Sequence, residues 1–121
     1  MSIEVQNLLT EKVRKFGASD GSADFQQVFT DAVNYALGDI DNRLLISTTA
    51  IDPASQTIDL DEQRYKPCLS ALVDYYISVQ GQWSLKNSEE LYRMGQRKLV
   101  DLQTRYIQTL DLGVRFGDLS E

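Results

Sequence analysis

One stretch constrains the fold of this chain more than any other. Phe25, Val28, Phe29, Ala32, Val33, Ala36, Leu37, Ile40 and Leu44 recur at i, i+3 and i+4 spacing, the pattern of a helix that buries one continuous face. At a rise of 1.5 Å per residue such a helix is about 33 Å long. Ser22 or Asp24 stands where it would cap the start. Gly38 falls inside it, at a cost of about 1 kcal/mol relative to alanine. The glycine either admits a neighbouring helix or is a tolerated weakness. An apolar stripe of this length needs partners.

The rest of the chain supplies them. Val5, Leu8, Leu9, Val13 and Phe16 predict a first helix from about Ser2 to Phe16, with Ser2 as cap and Gly17 as a left-handed stop. Ala18-Ser19-Asp20-Gly21-Ser22 is a turn-rich linker. From Ile46 to Leu60 the period changes. Ile46-Ser47-Thr48-Thr49-Ala50-Ile51 is β-branched, Asp52-Pro53-Ala54-Ser55-Gln56 has turn chemistry, and Thr57-Ile58-Asp59-Leu60 alternates. This predicts a loop or short β-hairpin. A lone hairpin is marginal in water, so it must lie on the helices or pair with another chain.

A third helix starts near Asp61 or Glu62, or at Pro67 as a first-turn proline; Tyr65, Cys68, Leu69, Leu72, Val73, Tyr76 and Ile77 form its stripe. Trp83, beyond its fading end, either plugs the bundle or anchors a partner. Asn87 or Ser88 opens a fourth helix whose apolar line is Leu91, Met94, Leu99, Leu102, Tyr106 and Leu110. The expected fold is all-α, a small bundle of about four helices with a loop or short β-hairpin between helices 2 and 3. Residues 1–112 form the bundle and residues 113–121 an extended C-terminal arm. The core is drawn from Leu9, Val13, Phe29, Val33, Leu37, Leu69, Leu72, Val73, Tyr76, Leu99, Leu102 and Tyr106.

Composition narrows the chemistry. The 121 residues are 42% hydrophobic, enough for one domain with a core, and none is histidine. That excludes Ser-His-Asp and Cys-His activation, histidine-based zinc sites and a neutral-pH proton shuttle. Cys68, the single cysteine, cannot form an internal disulfide and fits a core position. The scattered glycines form no phosphate-cradling loop. Asp39-Ile40-Asp41-Asn42 and Asp59-Leu60-Asp61-Glu62 bring acids together, but neither continues as a calcium loop. Asp39 and Asp41 suit a solvated helix face, and Asp59 or Asp61 a helix cap. No catalytic residue, metal or cofactor is expected. The formal net charge of −6 argues against a duplex-DNA binder. No apolar run approaches the roughly 20 residues of a membrane span, and a cytosolic, soluble chain is expected.

The charges are unevenly placed. Asp20, Asp24, Asp31, Asp39, Asp41, Asp52, Asp59, Asp61 and Glu62 make the middle of the chain acidic, whereas Arg93, Arg97, Lys98 and Arg105 make the last helix basic. Either this is a solvated face, or Arg93, Arg97, Lys98 and Arg105 of one subunit meet Asp39 and Asp41 of the next, head to tail. Beyond Leu110, Gly113 and Gly117 break helicity, yet Leu112, Val114, Phe116 and Leu119 are too apolar for an idle tail. Val114, Arg115, Phe116 and Leu119 form either a strap over the bundle or a docking peptide.

This layout resembles the head–tail connector (adaptor, or head-completion) proteins of tailed bacteriophages. The matching stretches are Leu8-Leu9-Thr10-Glu11-Lys12-Val13-Arg14-Lys15-Phe16, Phe25 through Leu45, and Ile58 through Tyr76 with Pro67 in the helix after the loop. Leu91-Tyr92-Arg93 and Arg105-Tyr106 fit the family's Tyr-rich, Arg-bearing last helix. The resemblance implies a structural virion protein at the head–tail junction, made in the host cytoplasm. It implies a homo-oligomeric ring, usually of twelve copies, with the portal protein and tail-side connector proteins as partners. DNA would pass through without specific binding, and an acidic lining suits such a conduit because it repels phosphates. The competing class is a small acidic helical binding protein (antitoxin, immunity or regulatory protein) that masks a basic partner.

Overall fold

The described residues form four helices, as the apolar periodicity predicts, and one strand pair. The computed structural model describes residues 1–18, 22–80, 83 and 87–118, with side chains as far as residue 107. Its elements are β1 (Ser2–Glu4), α1 (Val5–Phe16), α2 (Ala23–Leu44), β2 (Thr57–Asp61), α3 (Glu62–Ser78) and α4 (Ser88–Asp118). Helix α3 packs on both α2 and α4, which also touch each other.

The long stripe does what its period requires. Phe25, Phe29, Ala32, Val33, Ala36, Leu37, Ile40 and Leu44 of α2 are buried, against Leu69, Leu72, Val73 and Ile77 of α3. Leu91, Leu99 and Leu102 of α4 are buried as well. Of the expected core, Val13, Tyr76 and Tyr106 are only partly buried. Ser22 caps α2 by accepting the Phe25 N–H at 3.2 Å. Gly17 ends α1 with φ 67°, as a left-handed stop must. Of the linker that follows, residues 19–21 lie outside the described residues.

The N-terminus departs from expectation. Ser2 does not cap a helix; Ser2–Glu4 is a strand, and α1 begins at Val5. It pairs antiparallel with β2, matching Ile3 to Ile58 and Glu4 to Thr57, with an irregularity before Ser2 reaches Asp61. Ile3 and Ile58 are both buried while their neighbours are exposed, so period-2 alternation prevails over helix extension here. The segment between α2 and α3 therefore finds its strand partner in the same chain. Ile46–Ile51 forms no strand. Two α2 side chains fasten it instead. The Asn34 amide donates to the Ile51 carbonyl at 2.9 Å and accepts its N–H at 2.8 Å, imitating a strand neighbour. Asp41 accepts from the Thr48 N–H at 3.1 Å and its hydroxyl at 2.9 Å. Asp52 then turns the chain by accepting the Ala54 N–H at 2.8 Å.

Asp61, not Pro67, opens α3: its carboxylate accepts the Arg64 N–H at 3.1 Å. Pro67 thus lies past the first turn and leaves the Gln63 carbonyl, at an exposed residue, without its intrahelical donor. Leu45 ends α2 in a left-handed conformation, φ 58°, that costs an L-residue roughly 1–2 kcal/mol. The Asp41 anchorage of Thr48 just beyond holds that corner.

Close helix approach occurs at a different glycine from the one the stripe suggests. A Cβ at Gly38 would meet nothing within 4 Å, whereas one at Gly95 of α4 would lie 3.0 Å from Leu72 Cδ2 and 3.6 Å from Leu72 Cα on α3. Gly95 is where α4 closes on α3. Gly38→Ala is accordingly expected to stabilise the chain by about 1 kcal/mol through helix propensity alone, measured as a rise in the urea midpoint. An unchanged or lower midpoint would mean that Gly38 serves a contact the fold does not reveal.

The backbone of α4 continues helical through Gly113 and Gly117 to Asp118, where the two glycines predict a break in the helix. Each costs about 1 kcal/mol in a helix without forbidding it, and no proline follows.

Candidate functional site

The four cations expected to act together are divided between two faces of α4. Arg93 and Arg97 are exposed on its outward side, in line with Val100, Thr104 and Ile107. Arg93 pairs with Glu89 one turn earlier at 3.0 Å, a solvated pair worth only tenths of a kcal/mol. Lys98 and Arg105 instead line a small groove of about 100 Å³ between α3 and α4, with Arg64, Pro67, Cys68 and Asp101. The acids proposed to meet them are engaged within the chain. Asp41 holds Thr48, and Asp39 accepts the Tyr76 hydroxyl at 2.6 Å. Val114, Arg115 and Phe116 lie on the helical backbone of α4, but their side chains, and all of Leu119, fall outside the described residues.

Cys68 is a core residue. Burial pushes its thiol up to about 12, with Asp39 adding to the shift and Lys98 opposing it. At pH 8 its reactive thiolate is therefore scarcer than that of a free thiol. Reaction with a disulfide reagent is expected to be negligible in the folded chain and complete in denaturant. Fast reaction under native conditions would place Cys68 on the surface.

Two constellations escaped the apolar periodicities. The first joins α1 to α3. Lys12 is 3% exposed; its ammonium donates to Ser70 Oγ at 2.6 Å and lies 2.6 Å from Asp74 Oδ1, while Lys15 reaches Asp74 Oδ2 at 2.7 Å. A neutral lysine beside a serine could take its proton, but the buried carboxylate 2.6 Å away favours the charged ammonium. Burial lowers the Lys12 pKa and Asp74 works against that shift. Asp74 Oδ1 has no in-line hydrogen bond, so its contact with Lys12 is chiefly coulombic. The spacing offered a hint: Lys12 falls four residues after Leu8 and four before Phe16, inside the apolar stripe.

The second is a row of tyrosine rings across three helices. Tyr35 of α2 and Tyr76 of α3 have centroids 5.4 Å apart, Tyr76 and Tyr75 5.1 Å, and Tyr75 and Tyr92 of α4 5.0 Å. The contacts are tilted or edge-on, the arrangements ring quadrupoles favour. The outer rings are open to solvent, Tyr35 at 59% and Tyr92 at 46%. Asp31 and Asp39 stand one turn either side of Tyr35. Burial, together with the hydrogen bond to Asp39, pushes the Tyr76 phenol well above its ordinary range, so it stays a donor. Periodicity missed the row because Tyr35 lies off the α2 stripe; the Tyr75-Tyr76 doublet was its visible trace.

Among the described residues, no group of three or more His, Cys, Asp or Glu could hold a metal ion, and no helix is long and apolar enough to cross a membrane. No family model, curated protein or solved structure matches the chain.

Proposed function

We propose that the chain is a structural protein of a tailed-phage virion, a head–tail adaptor that forms a ring joining the portal to the tail. One observation carries the reading: a helix layout ending in an α4 of 31 residues whose outward side pairs Arg93 and Arg97 with exposed Val100 and Ile107. Such a mixed apolar and cationic stripe suits contact with a neighbouring acidic subunit. Beyond Tyr106, the last described residue packed on the core, the α4 backbone has about 18 Å of further rise. Val114, Arg115 and Phe116 on it, with Leu119 following in sequence, are the docking residues, Phe116 supplying the largest apolar area.

Deleting residues 113–121 tests this. The expected result is an unchanged melting temperature with loss of binding to the portal protein of the same phage. A truncated chain that melts far lower, or that binds the portal normally, overturns the docking role. The second reading, an acidic protein that masks a basic partner, is favoured by the acid-flanked tyrosine row. Sedimentation separates the two, because an adaptor forms large rings on assembly and an inhibitor binds in a small fixed stoichiometry.

A further inference from the structure

We infer that the tyrosine row is a docking surface for an arginine-bearing segment of a protein partner. Four of the chain's six tyrosines form one connected row, and the two at its ends are turned out to water. Isolated exposed tyrosines are ordinary; a chain of ring contacts bridging α2, α3 and α4 is a pre-formed platform. Tyrosine suits such a role because it presents a large apolar face with few torsions to freeze.

Charge complementarity selects the occupant. The α2 face that carries Tyr35 also carries Asp24, Asp31 and Asp39, at the 24, 28, 31, 35, 39 spacing of one helix side. Asp39 is held at the edge of the row by the Tyr76 hydroxyl. At the far end Arg93 is paired with Glu89 one turn earlier. An anionic ligand would meet repulsion along the α2 side. A guanidinium satisfies both features at once: its flat face stacks on a tyrosine ring and its N–H edge meets a carboxylate. A lysine ammonium can do the second but stacks poorly. This surface serves an adaptor and an inhibitor alike, since it concerns where a cationic partner binds and not what assembly results.

Hexa-arginine and hexalysine peptides, titrated into the whole chain and followed by NMR at low and moderate salt, test the inference. The hexa-arginine peptide should shift the resonances of Tyr35, Tyr92 and the Asp31–Asp39 turns, and bind at least threefold tighter than hexalysine. Tyr35→Ala with Tyr92→Ala should weaken binding at least fivefold, whereas the corresponding pair of phenylalanine substitutions keeps it, because the ring and not the hydroxyl is needed. Asp59→Asn, on exposed β2, should change little. Equal affinity for the two peptides, or shifts spread evenly over acids elsewhere, would overturn the inference. So would undiminished binding by the double alanine variant. Should that variant melt early, the shift map and the arginine-to-lysine ratio of the unaltered chain still decide the matter.

Discussion

Asp74→Ala is expected to lower stability by about 3–5 kcal/mol, the usual loss when one partner of a buried ion pair is removed. Asp74 is 6% exposed and faces two cations, Lys12 and Lys15. Lys15 is nearly half exposed and can turn to water. Lys12, buried under α1 and donating to Ser70, cannot. The loss thus measures a stranded ammonium rather than the net worth of the pair. Replacing both partners, Lys12→Met with Asp74→Leu, should recover most of it, because apolar groups of similar volume carry no desolvation cost. The pH dependence follows from the lowered Lys12 pKa. The folded state holds that proton less tightly than the unfolded chain does. The cost of burying the charge is therefore complete below the lowered pKa and fades as pH climbs toward the ordinary lysine value of 10.5. Urea titrations should show the Asp74→Ala deficit widest at neutral pH and narrowing in alkaline buffer. A loss below about 1 kcal/mol, or one independent of pH, would show that Lys12 is not held as a buried cation.

That cluster also marks where reading the residues alone reaches its limit. A period of 3.6 exposes which side of α2 is buried, because nine apolar residues repeat it and no charge interrupts them. It places Lys12 inside the α1 stripe but does not show what offsets its charge, because Asp74 faces it from some sixty residues on. The same holds for β1. Ser2-Ile3-Glu4 is too short to show alternation, and its pairing with Thr57–Asp61 is a contact between distant segments that no local pattern encodes. Ser22 and Gly17 were legible as caps because each acts within four residues of itself, whereas Ser2, expected to cap α1, lies in β1. The clustering of charge was legible, and its geometry was not. Arg93, Arg97, Lys98 and Arg105 form one set in composition, yet helical rotation sends two outward and two into the groove beside α3. The tyrosine row needs three helices in place before it exists.

Phe25→Ala is expected to cost about 3–5 kcal/mol and to alter the environment of the single tryptophan. Phe25 is 1% exposed, with its ring 5.2 Å from Trp83 in an edge-to-face contact and 6.5 Å from Phe16. These three aromatics come from the end of α1, the start of α2 and the segment after α3, so one side chain ties three separate segments of the chain together. The substitution leaves the capping bond intact, since alanine keeps the N–H that Ser22 accepts. The loss is therefore a packing loss. Urea titration gives its size, and tryptophan emission in the folded state locates it. Removing the ring opens the inner edge of Trp83 to water, so the native emission should move to longer wavelength before any unfolding. A plug at the bundle end and an anchor for a partner differ at this point. A plug loses its shelter when Phe25 goes. An anchor that points away from the core keeps its spectrum, and a full-length Phe25→Ala chain with unshifted emission and near-normal stability would assign Trp83 to a partner surface.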